Sequence, residues 1–111
     1  MVEIKIAKNS LDEIVSLQVN GHAGYADAGQ DIVCSAVSIL TFNTINSIEH
    51  FLKAKLHPEA TSLGSLECDF PVLEEVGAQE KMQLLLQSML FGLRAIEENY
   101  KDFIAIKINY V

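Results

Sequence analysis

One histidine and one cysteine stand at the two ends of a glycine-rich stretch near the N-terminus. His22 opens the segment HAGYADAGQDIVC and Cys34 closes it. A cysteine acts as a nucleophile in its thiolate form, and a neighbouring imidazole can take up its proton. The two residue types therefore have the chemistry of a nucleophile and its general base, provided that the fold brings them together.

The residues around this pair favour such a meeting. Asp31 stands where a helical pattern starts, and as an N-cap its carboxylate accepts a hydrogen bond from an amide in the first turn. Cys34 then falls within that first turn, where the helix dipole favours a thiolate. Gly21, Gly24 and Gly29 allow tight turns and close backbone approach. We therefore predict that residues 23–30 form a mobile loop, suited to act as a lid.

The same residues also have plainer interpretations. A cysteine early on an amphipathic helix is often a small buried apolar side chain, and a histidine after a strand is often a surface turn residue. Asp31 can be a helix cap without being a third catalytic group, and Ser35 and Ser38 can be ordinary helix residues. A zinc site using His22 and Cys34 lacks paired ligand spacing. Spacing alone leaves these alternatives open.

The composition restricts the class of protein. A chain of 111 residues, half of them hydrophobic, predicts one packed domain spanning 1–111. The net charge of -7 argues against nucleic-acid binding and anionic membranes, and it favours a basic partner. The sequence shows no secretory signal and no uninterrupted apolar run of membrane-spanning length. We therefore expect a cytoplasmic protein whose two cysteines, Cys34 and Cys68, are reduced.

The hydrophobic pattern changes period along the chain, which separates strands from helices. Apolar residues alternate in stretches that we interpret as strands: 2–8, 14–22, 59–63, 65–70 and 102–111. A spacing of three or four predicts helices over about 31–54 and 77–100. The order β-β-α-β-β-α-β indicates an α+β fold, with both helices on one face of a mostly antiparallel or mixed sheet. Cys68 has the inward register of its strand, so we expect it in the core.

At this point the quoted residues resemble a known signature. "GHAG" after the second strand, then "GQDIVC" and "SAVS", resemble the motif of the bacterial ribosomal-processing cysteine protease family, Prp. The late stretch "LLLQSMLFGLRAIEENY" looks like that family's second helix. With the order of elements, the similarity extends to nearly the full chain.

The resemblance implies a cytoplasmic, homodimeric endopeptidase. It would remove a short N-terminal extension from the precursor of bacterial large-ribosomal-subunit protein twenty-seven. Cys34 would be the nucleophile and His22 the general base. Four further residues fall on motif positions that support the site: Gly21, Gly29, Asp31 and Ser38. We expect no metal and no cofactor.

Ser35 departs from the family pattern, which usually has alanine beside the nucleophile, and this puts the fine geometry in question rather than the chemistry. Two rival interpretations belong to other classes. A non-catalytic ribosome-assembly binding module would share the fold and partner but would not need the thiol. A thiol redox protein would need a resolving cysteine, and the only other cysteine, Cys68, is expected to face the core.

Overall fold

The computed structural model describes the backbone of residues 1–21, 28–61 and 65–111, and the side chains of these residues except 28–30. The described chain contains five strands and two helices in the predicted order β-β-α-β-β-α-β. The elements are β1 (Val2–Lys8), β2 (Ile14–Asn20), α1 (Ala28–Leu52), β3 (Glu59–Ala60), β4 (Ser65–Asp69), α2 (Ala78–Asn99) and β5 (Ile104–Tyr110).

The strands form one sheet in the order β3-β4-β2-β1-β5. β1 pairs with β5 in parallel, whereas the β1–β2, β2–β4 and β3–β4 pairs are antiparallel. The sheet is therefore mixed and mostly antiparallel, as predicted. Because β2 and β1 lie between β4 and β5 in the sheet, the chain crosses from β4 to β5 through α2 rather than through a tight turn.

The register places the apolar residues of neighbouring strands on the same face. Ile4 lies opposite Val19 of β2 and Ile106 of β5, and Val19 lies opposite Leu66 of β4. The alternate residues, such as Lys5, point to the other face and are exposed. One face of the sheet is thus apolar and covered, and the prediction of two helices on a single face is confirmed.

Each helix buries one stripe against that face. On α2 the buried side chains recur every three or four residues: Ala78, Met82, Leu86, Met89, Leu90 and Leu93. The helices approach closely at Gly92, because Leu40 Cδ2 lies 2.7 Å from the position that a Cβ on Gly92 would occupy. Except for Ala78, the described buried hydrophobic residues of the helices and sheet form one core cluster.

Three of the four helix termini lie within two residues of the predicted positions, whereas α1 starts three residues earlier than predicted. Local backbone geometry explains two of these termini. α1 stops at Leu52 because Lys53 has a φ of 53°, a left-handed conformation that ends a helix. α2 starts after Gly77, whose φ of 81° favours glycine.

The segment Asp31–Leu52 of α1 is long and apolar enough to span a membrane by length and composition alone. A core helix of a soluble fold can satisfy the same criterion, and in this structure Val33, Val37 and Ile48 of α1 are buried in the core.

Glutamine side chains of α2 form hydrogen bonds with the turn between β1 and β2. Gln83 accepts a hydrogen bond from the Ile14 N–H at 2.8 Å and donates one to the Ile14 carbonyl at 2.9 Å. Gln79 donates to Glu13 at 3.0 Å. Hydrogen bonds from Asn9 and Gln79 lower the pKa of Glu13 from its usual value. The hairpin is therefore held by side chains as well as by its own backbone.

We predict that Gln83→Ala lowers the free energy of unfolding by about 1–3 kcal/mol, because it leaves two backbone groups of the buried Ile14 without these partners. Gln87→Ala is the matched control, since Gln87 makes only an exposed contact of 3.4 Å to the Asp12 carbonyl. Its effect should stay within about 0.5 kcal/mol. Urea unfolding of both variants measures the difference, and equal effects would show that the Gln83 contact does not stabilise the fold.

Candidate active site

The candidate site lies at one end of the sheet, where β2 stops and α1 starts. The last residue of β2, Asn20, lies between Glu3 of β1 and Ser65 of β4. Gly21 follows it and is half-buried. α1 then begins at Ala28, so only a short segment separates the end of the strand from the helix.

His22 lies in the segment 22–27, which is outside the described residues, as are the side chains of 28–30. The meeting of His22 with Cys34 and the mobility of residues 23–27 therefore stay predictions. Residues 28–30 belong to α1, so the prediction of a loop reaching to residue 30 is wrong at its C-terminal end.

The start of α1 corrects one expectation. The helix begins at Ala28, three residues before Asp31, so the prediction that Asp31 is the N-cap is wrong. Asp31 instead lies in the first turn, where a carboxylate also interacts favourably with the positive end of the helix dipole. An acidic residue such as Asp31 is favourable both at the N-cap and in the first turn. Its presence therefore indicates that a helix starts nearby, but it does not identify the first residue of that helix.

The correction also moves Cys34 from the first turn into the second. Since the dipole effect decreases beyond the first turn, the helix start acts less strongly on this thiol than expected. Cys34 is half-buried and packs against the core cluster. A general base close to the thiol therefore becomes more important for its activation.

The other predicted site residues lie around the same helix start. The backbone of Gly29 is helical and belongs to the first turn of α1. Asp31 is exposed, and so is Ser38, which follows Cys34 by about one helical turn. Ser35, the departure from the family pattern, is also exposed. Gly29, Asp31, Cys34 and Ser38 thus lie within the first three turns of α1, and Gly21 directly follows the last residue of β2.

The second cysteine has a different environment. Cys68 is 3% exposed on β4, which confirms its prediction as a core residue. Burial, with smaller effects from Asp69 and Glu49, raises the pKa of Cys68 to about 11. Cys68 is therefore an uncharged thiol at neutral pH, and no disulfide joins it to Cys34. These properties argue against the redox interpretation, which needs a reactive resolving cysteine.

The positions of the described side chains test whether the protein has a metal site. Within residues 1–21, 31–61 and 65–111, no three His, Cys, Asp or Glu side chains come together in a group that could hold a metal ion. The zinc alternative built on His22 lies outside these ranges.

Sequence reasoning missed two hydroxyl groups near this end of the sheet. Thr61 Oγ1 and Ser65 Oγ lie 2.7 Å apart at the base of the β3–β4 hairpin, and Ser65 is the register partner of Asn20. Only the pairing of Asn20 with Ser65, 45 positions apart, would have indicated that these hydroxyl groups lie near the end of β2. A single sequence does not reveal such a pairing.

Comparisons with known proteins agree with this arrangement. The sequence model of the family described as "Cysteine protease Prp" matches residues 1–105. The chain is 30% identical over 114 residues to the ribosomal processing cysteine protease Prp of Bacillus subtilis (strain 168), and the alignment covers 100% of both chains.

Two solved structures are similar over the whole chain. SMU.848 from Streptococcus mutans superposes with a TM-score of 0.80 at 30% identity, covering 100% of this chain and 96% of the other. The ribosomal processing protease Prp from S. aureus, in complex with a substrate peptide, gives a TM-score of 0.81 at 26% identity and covers 100% of both chains. Because the family model matches residues 1–105 and the Bacillus subtilis relative is 30% identical over the whole chain, the chain belongs to the Prp family of cysteine proteases.

Proposed function

We propose that this cysteine protease removes the N-terminal extension from the precursor of bacterial large-ribosomal-subunit protein twenty-seven. Cys34 is the nucleophile and His22 the general base. The single observation that carries the proposal is the position of Cys34, half-buried in the second turn of α1, the helix that follows β2 and the segment with His22 in the chain. A relative of the same fold that binds a substrate peptide supports a polypeptide substrate.

The proposed reaction is an acyl transfer. His22 takes the proton from Cys34, and the thiolate attacks the scissile carbonyl carbon. The first-turn amides of α1 lack intrahelical partners, so they are available to stabilise the oxyanion. His22 then protonates the leaving amine, which gives an acyl-enzyme thioester and a new N-terminus on the released product. Water attacks the thioester, and the thiol is regenerated.

The charge of the chain supports the proposed partner. Ribosomal proteins contact RNA phosphates through Lys and Arg, so their precursors are basic, and the net charge of -7 attracts such a chain. The same charge disfavours direct binding to nucleic acid or to an anionic membrane. We propose a cytoplasmic location, where a ribosomal-protein precursor is made.

We also propose that the protein is a homodimer. The outer side of the helix layer exposes large apolar side chains, among them Ile39, Leu84 and Phe91, each at least 70% exposed in the single chain. Exposed apolar residues of this size are typical of an interface with another protein.

We predict that Cys34→Ala and His22→Ala each abolish or nearly abolish cleavage of the precursor, while folding is kept. Cys34→Ala removes the attacking atom, and His22→Ala removes both the base and the acid for the leaving amine. Mass spectrometry of the precursor after incubation measures the cut, with Cys68→Ala as the matched control that keeps cleaving. Wild-type cleavage by Cys34→Ala would refute the protease mechanism, and precursor binding without cleavage by the wild type would favour the binding-module alternative.

The two thiols should differ in reactivity. We expect iodoacetamide to label Cys34 faster than Cys68 in the folded protein, because the Cys68 thiol is buried and its pKa of about 11 keeps it protonated. Peptide mapping over time gives both rates, and denatured protein serves as the control in which the difference should largely disappear. Equal rates in the folded state would contradict both assignments.

Asp31→Asn distinguishes a helix-stabilising carboxylate from a catalytic one. Because Asp31 is an exposed first-turn residue, we expect the free energy of unfolding to fall by about 0.3–1 kcal/mol and kcat to stay within about threefold. Urea unfolding and initial rates are measured on the same preparation. A large loss of kcat without a loss of stability would show that Asp31 orients His22 instead.

A further inference from the structure

β3 is the last strand at one edge of the described sheet, and its outward backbone groups can be identified from its pairing. Glu59 is the register partner of Glu67, and the Thr61 N–H donates to the Ser65 carbonyl at 3.0 Å. Because the backbone groups of a strand alternate in direction, the N–H and C=O of Ala60 point away from β4. Ala60 therefore presents a donor and an acceptor at the open edge.

The side of α1 that carries Cys34 is turned away from the second helix. At about 100° per residue, Glu49 lies within about 60° of Cys34 around the helix, whereas Leu40 lies about 120° away. Leu40 contacts α2 at Gly92. The negative charge of Glu49 contributes to the raised pKa of Cys68, which agrees with a Cys34 side that is turned toward β4.

The direction of β3 leads toward the candidate active site. β3 runs from Glu59 to Ala60, and the next residue, Thr61, bonds to Ser65 at the start of β4. Ser65 is paired with Asn20, the residue before Gly21. A polypeptide lying along the open edge of β3 is thus guided to the sheet end at which α1 begins.

The corner formed by β3 and β4 is acidic. Glu59 and Glu67 are directly opposite each other and both exposed, and Asp69 lies on the same face two residues beyond Glu67. Like charges directly opposite each other destabilise a strand pair. Glu67 accepts a hydrogen bond from Gln18 at 2.9 Å, which leaves its negative charge in place. A basic segment placed along β3 would relieve this repulsion.

We infer that the open edge of β3 is a docking site for an extended, basic segment of the precursor polypeptide. The segment adds to the sheet as a sixth strand, and its backbone exchanges hydrogen bonds with the N–H and C=O of Ala60. Glu59 and Glu67 attract its Lys and Arg side chains. Main-chain pairing at a sheet edge binds extended peptides in other proteins as well. The inference rests on the proposed function and names where its substrate is held.

The backbone part of the site is tested by Ala60→Pro, with Ala60→Val as the matched control. Proline removes the outward N–H yet is tolerated on an edge strand, and the Ala60 N–H takes no part in β3–β4 pairing. We expect the KM for the precursor to rise about tenfold with kcat nearly unchanged, and the Kd measured in the Cys34→Ala background to rise equally. Ala60→Val should leave both constants within about twofold.

The charge part is tested by the double variant Glu59→Gln and Glu67→Gln, which keeps side-chain size. We expect a KM several times higher at low ionic strength, with the difference shrinking at high salt because exposed charges are screened. The control is Glu98→Gln, an exposed carboxylate on α2 away from this edge. The test with the double glutamine variant remains informative if the Ala60→Pro variant fails to fold.

The outcomes separate this inference from the proposed function. Absence of precursor cleavage by the wild type would overturn the proposed function, and the docking site with it. Cleavage by the wild type, with unchanged KM and Kd in both the Ala60→Pro and the double glutamine variants, would overturn only the docking site. The docking site is supported if the KM rises at unchanged kcat in the Ala60→Pro variant or the double glutamine variant, but not in the corresponding control variant.

Discussion

The packing of the helices on the sheet depends on the alternation of apolar and polar side chains along β1. This is the only strand in the described sheet with a parallel neighbour on one side and an antiparallel neighbour on the other. Val2, Ile4 and Ile6 are almost fully buried. Ile4 and Ile6 lie opposite apolar residues on both adjacent strands, and Val2 lies opposite Ile104 of β5. A shift of one residue in this register would turn the apolar side chains of β1 toward solvent. Because only one face is apolar, both helices must pack there.

That placement gives the two cysteines opposite properties. Cys68 points inward from a strand, and burial keeps it as a protonated thiol. Cys34 lies on the second turn of α1, half-buried, and packs against the edge of the core cluster. The same residue type is thus a core side chain in one place and a candidate nucleophile in the other, and the difference comes from position in the fold.

Much of the fold could be predicted from the periodicity of hydrophobic residues. The strand of residues 2–8 was located to the residue, since its alternation is uninterrupted, and the inward register of Cys68 followed from Leu66 and Phe70. The start of α1 was not located, because Asp31 suits either the cap or the first turn and Ala28 is compatible with a helix. Pairings between distant segments, such as β1 with β5 or Gln83 with Ile14, leave no mark on a single sequence.

The central claim is that Cys34 forms a covalent bond to the substrate during cleavage. The most direct test is to mix enzyme and precursor in equal amounts, quench with acid within the first turnover, and map the modified peptide by mass spectrometry. We predict a thioester on Cys34 whose added mass equals that of the N-terminal fragment minus one water. A modification on any other residue, or complete cleavage by the Cys34→Ala variant in the same experiment, would contradict the account.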